Sequence, residues 1–235
     1  MLPPIELPVT ERERLSVALT RAAKFGAYFE AGLEACGATE LDLGTTIARV
    51  GHRLGTTEAR VAGSSLQYEF AERLWSVALG AWAFGRVVPD FEHLRYGADS
   101  DGSLIFGFAE LRGWNCVGAP PETVAQLLSH NIIPRLLEFH RALRAEVKIA
   151  DGLLWGNAAT AVVLTSRSAS RARSCTAVTA ALLSEPPLAG RITGPVTGVI
   201  RRRSCCLFYR TGARRTCSDC PLPESAAAWL SGQRG

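Results

Sequence analysis

Long apolar runs and an export signal are both missing from this sequence of 235 residues. The longest apolar segment, 149–164, is interrupted by Asp151 and Asn157 and falls short of the ~20 residues that a membrane-spanning helix needs. The N-terminus leads into the charged residues 11–14 without the apolar core of a signal peptide. We therefore expect a cytoplasmic protein without a membrane span, for which peripheral contact with a membrane stays open.

Histidine and lysine are scarce as well. None of the four histidines has a companion ligand at a spacing typical of a metal site, so we predict no histidine metal site. Arginine supplies nearly all of the positive charge, because only two of the 26 basic residues are lysines. With 47% hydrophobic and 20% charged residues, the composition is typical of a globular chain rather than a disordered one.

The positive charge is concentrated near the C-terminus. Residues 201–220 hold six arginines and one acidic residue, Asp219, a local balance of +5 in a chain whose net charge is +4. The rest of the chain is therefore close to neutral. Such a patch could steer an acidic partner or an anionic ligand to this segment, or it could simply be a solvated surface.

The same segment holds four of the seven cysteines, Cys205, Cys206, Cys217 and Cys220, at the spacing Cys-Cys-x10-Cys-x2-Cys. Structural disulfides are rare in a reducing compartment, so the cluster favours metal ligation by thiolates. Zinc sites usually combine two Cys-x2–4-Cys knuckles, whereas this segment has one knuckle and a Cys-Cys dipeptide. A 2Fe–2S cluster takes two thiolates on each iron, and the spacing leaves both metals open. The isolated Cys36, Cys116 and Cys175 are interpreted as structural.

Two motifs make the chain resemble the FhuF-type siderophore-iron reductases. One is the cysteine segment, with its preceding basic residue, the run CCLFYR and the final CPL; the other is LLWGN-A at residues 153–159. The resemblance implies an oxidoreductase acting on metal ions, which releases iron from a ferric siderophore, of hydroxamate type, by one-electron reduction. It also implies a 2Fe–2S cluster on the four cysteines of the segment.

The resemblance further implies partners and docking residues. Trp155 and Asn157 are expected to adjoin or support the site. The candidates for docking the ferric siderophore, or an electron donor such as a ferredoxin or flavin reductase, are the arginines Arg203, Arg210, Arg214 and Arg215. Two alternatives remain: a zinc-binding module with four cysteine ligands, whose arginines contact nucleic acid, and an iron–sulfur electron carrier or sensor without siderophore turnover. If the protein is a siderophore reductase, we expect no nucleic-acid partner.

The pattern of apolar residues predicts an α+β fold that is mainly helical, with a small antiparallel β element. We predict helices over 10–36, 56–85, 120–143, 149–168 and 172–183, and a hairpin of 94–96 with 104–108. A third strand is expected within 112–117. Residues 38–55 carry no clear pattern.

Several details of these elements can be tested. Thr10 and Glu13 have the form of a capping box for the first helix, and Gly37 would end it. Pro134 should kink or split the helix predicted over 120–143 after Ile133. The large residues that recur every seven positions in 56–85 are expected in the core: Val61, Tyr68, Trp75 and Trp82. We predict a helical domain over 1–187 and a C-terminal cluster-binding module over 188–235.

Overall fold

The computed structural model describes residues 7–32, 41–169 and 175–222. Within these ranges the chain forms six α-helices and three two-stranded antiparallel sheets, and the predicted mainly helical α+β class is confirmed. The helices are α1 Arg12–Ala23, α2 Leu43–Leu54, α3 Ala59–Gly85, α4 Pro121–Glu146, α5 Asp151–Ala169 and α6 Thr176–Ser184. Among the described residues, no helix combines the length and the apolar character that crossing a bilayer would require.

The strands are short and lie at the edges of the helical core. They are β1 Val87–Pro89, β2 Leu94–Ala98, β3 Leu104–Phe108, β4 Gly113–Asn115, β5 Ile192–Thr193 and β6 Arg201–Arg202. β2 and β3 form the predicted hairpin, with Leu94 opposite Phe108. The predicted third strand exists as β4, but it pairs with β1 rather than joining the hairpin.

The core is organised around α3, which packs along α5 and against α1, α2 and α4. Phe70 and Phe139 stack face to face with ring centroids 4.0 Å apart, and Ser76 bonds Thr165 between α3 and α5 at 3.2 Å. Of the large residues that were predicted in the core from their seven-residue spacing, Trp75 and Trp82 are buried as expected. Tyr68 is only partly buried, because it faces a pocket described below.

Three local predictions are corrected. Helix α1 begins after Glu11 without a side-chain cap, and the Thr10 backbone N–H instead donates to Gly113 O at 3.0 Å, so the capping box is wrong. The helix ends at Ala23 rather than running to residue 36. Helix α4 is not split at Pro134, and a kink there stays a prediction. The carbonyl that loses its helical donor belongs to His130, which is exposed to solvent. Cys36 and Gly37 lie outside the described residues.

The stretch before α3, to which no element was assigned, contains a helix with apolar residues at helical spacing. Asp42 caps α2 by accepting from Thr45 N at 3.1 Å, and Gly55 ends it in the left-handed conformation. The division into two domains at residue 188 stays a prediction. Leu188 and Ile200, which follow that point, are buried in the same core as the helices.

Candidate metal centre

Residues 201–222, which we call the cysteine segment, fold as an irregular loop over one end of the helical core. Gly212 N donates to Leu54 O at 2.8 Å, at the end of α2, and Arg210 forms an ion pair of 2.5 Å with Glu58 before α3. Ser64 on α3 donates from Oγ to Cys206 O at 2.7 Å. The segment is therefore fixed to the helices by its backbone as well as by side chains.

The four cysteines of the segment have a geometry that fits a dinuclear site. Cys206 Sγ and Cys217 Sγ are 3.4 Å apart, close to the ~3.8 Å that separates two thiolates on one tetrahedral metal with bonds of ~2.3 Å. A mononuclear site with four thiolate ligands would bring all four sulfurs to that spacing, yet no three of these four sulfurs lie within 4.8 Å of one another. Cys220 is buried and the other three are partly buried. The arrangement suits two metals better than one.

Backbone groups support the sulfurs. Leu207 adopts the left-handed conformation, with φ of 67°, which is costly for a residue with a branched side chain. Its N–H donates to Cys205 Sγ at 3.4 Å. Hydrogen bonds to sulfur stabilise thiolate charge and are one of the features that set the potential of iron–sulfur sites. At the other end, Cys220 N donates to Cys217 O at 3.2 Å and closes the Cys-x2-Cys turn.

The thiol pair nearest the pocket shares a proton unequally. The hydrogen bond with Cys217, with help from the charge of Arg202, lowers the pKa of Cys206 to about 6. The same hydrogen bond, together with burial, raises the pKa of Cys217. Burial also raises the pKa of Cys205. Cys206 is thus the thiolate of the pair at neutral pH, and thiolate is the form that binds metal.

A buried ion pair lies directly beneath the cysteines. Arg202 Nε donates to Asp219 Oδ2 at 2.6 Å, and the two side chains are only 2% and 3% exposed. Although burial opposes it, the hydrogen bond and charge of Arg202 hold the pKa of Asp219 below its ordinary value. Backbone bonds reinforce the pair, since Arg202 N donates to Asp219 O at 3.0 Å. The pair joins the start of the segment to the Cys217–Cys220 turn.

Helix α5 completes this network. Asn157 Oδ1 accepts from Arg202 at 2.5 Å, and its Nδ2 donates to Ser64 O at 3.0 Å. Thr160, one turn further along, donates to Asp219 Oδ2 at 2.6 Å. Because Ser64 also bonds Cys206 O, a continuous chain of hydrogen bonds connects both halves of the cysteine motif through α3 and α5.

The LLWGN-A motif acquires a physical explanation here. Trp155 is buried against the His140 ring, with centroids 4.6 Å apart. Gly156 leaves room for Ser204 Oγ, which a Cβ at this position would meet, and Ser204 donates to Gly152 O at 2.7 Å. Asn157 is fully buried. Trp155 and Asn157 are thus placed behind the cysteine segment, and Asn157 also lines the pocket described below. A docking role for either residue stays a prediction.

The four predicted docking arginines are exposed, and they differ in their contacts. Arg210 is held by Glu58 and also contacts Tyr209. The Arg215 guanidinium lies over the Phe208 ring, 5.8 Å from its centroid. Arg203 and Arg214 are exposed on the same segment. A docking role for these arginines stays a prediction. Arg202, Asp219 and Thr160, which complete the buried network, were missed as functional residues.

A pocket of about 310 Å³ opens beside the cysteines. Cys206, Cys217 and Phe208 line one side of it, and Tyr68 of α3 lies in another part of its wall. Tyr28, 42% exposed, also belongs to the lining. A pocket that reaches two candidate metal ligands can bring a bound molecule close to whatever those ligands hold.

The fold and the site together define an iron–sulfur protein. Residues 202–222 match the family described as the FhuF 2Fe-2S C-terminal domain, which supports a 2Fe–2S cluster at the clustered cysteines and confirms the resemblance to the FhuF-type proteins. The match covers the cysteine segment and not the helical part of the chain. A search of curated proteins found no match. The matched 2Fe–2S domain favours the iron–sulfur cluster over the zinc alternative.

Proposed function

We propose that this protein is a ferric-siderophore reductase, which releases iron by one-electron reduction of a ferric siderophore of hydroxamate type. The observation that carries the proposal is the position of Cys206 and Cys217 in the wall of the pocket, within a segment that matches a 2Fe–2S domain. A molecule in the pocket would contact the edge of the centre through these two residues.

The chemistry needs no group that forms or breaks a covalent bond in the substrate. When bound, a 2Fe–2S cluster supplies one electron at a time. That electron would convert Fe(III) in the siderophore to Fe(II), and the donor protein would then have to supply the next one. Hard oxygen ligands hold Fe(II) far more weakly than Fe(III), so the reduced metal leaves the siderophore.

The residues of the chain hold the centre and orient the substrate. In this proposal the ligands are Cys205, Cys206, Cys217 and Cys220. Leu207 N–H stabilises the charge on Cys205, and the Arg202–Asp219 pair fixes the two halves of the motif relative to each other. Positive charge beside Cys206 and Cys217 should raise the potential, because it stabilises the more negative reduced state.

The electron donor is proposed to be an acidic protein such as a ferredoxin, or a flavin reductase. Arg203 and Arg214 are exposed on the cysteine segment, and Arg215 lies at the margin of the pocket over Phe208. Charged patches of this kind accelerate encounter with a partner of opposite charge. We also propose that any contact of this protein with a membrane is peripheral.

The test is turnover by protein purified without oxygen. We expect a red-brown protein with iron and acid-labile sulfide in equal amounts, which reduces a ferric tris-hydroxamate in the presence of a chromophoric Fe(II) chelator. The Cys217→Ser variant should lose the visible spectrum and the activity. Cys116→Ser removes a buried thiol outside the segment and should keep both.

Three results would contradict the proposal. If Cys217→Ser keeps full activity, the four-cysteine centre is not the source of the electron. If the wild-type protein carries the cluster but reduces no ferric chelate, it is instead an electron carrier or sensor. A colourless protein with zinc and salt-dependent nucleic-acid binding would favour the zinc alternative.

A further inference from the structure

The four cysteines of the segment divide into two pairs. Cys206 and Cys217 line the pocket with their Sγ atoms 3.4 Å apart, a spacing that suits two thiolates on one iron. A 2Fe–2S cluster takes two thiolates on each iron, so Cys205 and Cys220 are left for the other. Neither of these two residues lines the pocket. Cys220 is buried and Cys205 only partly so, which makes Cys205 the more accessible ligand of the second pair.

A stripe of exposed side chains runs along strand β6 towards the cysteines. Val199, Arg201 and Arg203, which we call the hairpin stripe, are exposed. Ile200 and Arg202, which alternate with them, are buried. Successive side chains of a strand point to opposite sides, and Arg202 lines the pocket. The hairpin stripe therefore faces away from the pocket, and it ends two residues before the first cysteine of the segment.

The β5–β6 hairpin that carries the stripe is held in place by α5. The strands pair in antiparallel register, and the Arg167 side chain donates to the backbone carbonyls of Val196 and Gly198 between them. Val199, in this fixed hairpin, is apolar and 78% exposed. A partner that packs on it loses little conformational entropy of the protein, because the contact point is already formed.

The surroundings of the stripe are basic. Residues 186–218 include seven arginines and no acidic residue. Arg191 lies beside Arg203 on the neighbouring chain, since Arg203 N donates to Arg191 O at 2.9 Å. Arg201 Nη1 donates to Cys220 O at 3.0 Å, which places its charge beside the second cysteine pair. The stripe thus presents a positive surface next to Cys205.

Such a surface suits a transient contact with an acidic protein. Electron-transfer partners form small interfaces, below about 1,200 Å² in total. Arginine charge steers an acidic protein towards the stripe, and Val199 offers an apolar contact within it. A nucleic acid would need a longer row of phosphate contacts than the two arginines of the stripe provide.

We propose that the hairpin stripe is the docking surface of an acidic one-electron carrier protein, whose electron enters at Cys205. One electron leaves the carrier, which is oxidised, and the 2Fe–2S centre is reduced by that electron, while no covalent bond forms or breaks. This inference rests on the proposed function for the need of a donor. It adds a second face, so that the carrier docks beside Cys205 while the substrate contacts Cys206 and Cys217.

The first test measures binding without electron transfer. The cluster-loaded protein and an acidic 2Fe–2S ferredoxin, both oxidised, would be titrated in a calorimeter at low ionic strength. Arg203→Glu should raise the dissociation constant at least tenfold. Arg215→Glu makes the same change of charge two residues before Cys217, over the pocket residue Phe208, and should raise it less than threefold. Equal effects would mean that the ferredoxin responds to net charge or docks on the pocket side, and the proposal would fail.

The apolar contact gives a second test, which decides the question should Arg203→Glu lose its cluster. Val199→Asp changes an exposed side chain and should keep the visible spectrum of the cluster, while the dissociation constant of the ferredoxin rises several-fold. The matched control is Leu137→Asp, at an apolar position of α4 that is 45% exposed. If the two variants bind the ferredoxin equally well, the stripe is not the docking surface.

Separate faces predict that the carrier and the substrate do not compete. The cluster would be reduced with dithionite, freed of excess reductant and reoxidised by a ferric tris-hydroxamate, with and without a ferredoxin whose iron is replaced by gallium. This ferredoxin carries no electron, and the concentration of ferric complex that gives the half-maximal rate should stay unchanged. An increase in that concentration would place both molecules on one face and overturn the proposal.

A different class of partner would also overturn it. If Arg203→Glu keeps the affinity for the ferredoxin but abolishes binding to vesicles that contain phosphatidylglycerol, the stripe contacts a membrane instead. The same result with single-stranded RNA in place of the vesicles would assign the stripe to nucleic acid.

The docking surface and the reductase function can fail separately. Ferredoxin binding that Arg203→Glu abolishes, without reduction of any ferric complex by the wild type, would support the surface and overturn the reductase function. Ferredoxin-driven reduction of the ferric complex by Arg203→Glu at the wild-type rate would support the reductase and overturn the surface.

Discussion

Helix α5 borders two buried polar clusters that differ in kind. On one side, Asn157 and Thr160 contact the Arg202–Asp219 ion pair beneath the cysteines. On the other, Trp155 packs on His140, which is 3% exposed and shares a 2.9 Å hydrogen bond with Gln67. An amide nitrogen only donates, so His140 Nε2 accepts and the imidazole is neutral. The first cluster buries charges, and the second buries none.

The difference shows what each cluster does. The neutral Gln67–His140 pair joins α3 to α4, which are already packed against each other by apolar side chains. The charged pair joins an irregular segment with few apolar contacts to the helices, and at the same time joins the two ends of that segment to each other. Buried ion pairs are weak evidence for stability but can specify one arrangement, and here that arrangement sets the spacing of the cysteines.

The largest expected effect comes from breaking the charged cluster. Arg202→Met removes the partner of Asp219 and leaves a buried carboxylate without compensation, which typically costs about 3–5 kcal/mol. We expect the variant to lose most of its cluster and to unfold at lower denaturant concentration. Iron content and denaturant unfolding followed by circular dichroism would measure the two effects.

The double variant Arg202→Met with Asp219→Leu separates charge from position. Removing both charges should restore much of the stability, since an apolar pair in place of a buried ion pair is often neutral. Cluster content should not recover, because the two halves of the motif are no longer held together by hydrogen bonds. Recovery of both properties would mean that the ion pair has no positioning role.

The neutral cluster is expected to respond to pH. Burial lowers the pKa of His140 to about 4, below the ~6.5 of an unfolded chain. The unfolded state therefore binds the proton first, and stability contributed by the neutral ring is present above pH ~6.5 and lost as the pH falls towards 4. The resulting decrease in the free energy of unfolding approaches about 3 kcal/mol.

The readout is the difference between two curves. Free energies of unfolding measured from pH 7 to pH 4 should fall more steeply for the wild type than for His140→Gln, which has no imidazole to protonate. Parallel curves would show that His140 is not buried as a neutral ring in the folded protein.

How far the sequence predicts this molecule depends on the kind of contact. The helical class, the hairpin and α3 follow from local apolar periodicity, which the sequence displays directly. Helix α2 was missed although its one-sided apolar pattern is pronounced, with Ile47 and Val50 buried on one face between the Asp42 cap and the Gly55 stop. The capping box at Thr10 failed because that residue is tethered to β4, a contact more than 100 residues away in the chain.

The site shows the same division. The clustering of cysteines and its resemblance to a known motif indicated the cofactor. Arg202 could not be distinguished from its neighbours in a run of three arginines, because only the fold decides which one is buried. Asp219, the one acidic residue among six arginines, was the available signal for an ion pair. Tyr68 was predicted in the core from its spacing, and only packing reveals the pocket beside it.

The smallest effect on stability is expected from the exposed arginines, which contrast with Arg202 on the same segment. Replacing Arg203 and Arg214 together with glutamine should change the free energy of unfolding by less than about 0.5 kcal/mol, as is usual for surface sites. The rate of electron acceptance from an acidic ferredoxin should fall several-fold at low salt, and its dependence on ionic strength should flatten. Stopped-flow absorbance of the cluster would measure the rate and its dependence on ionic strength. The control is the double variant Arg21→Gln with Arg141→Gln, which replaces two exposed arginines outside the segment. If both double variants slow the reaction equally, the donor responds to the overall charge of the protein rather than to this patch.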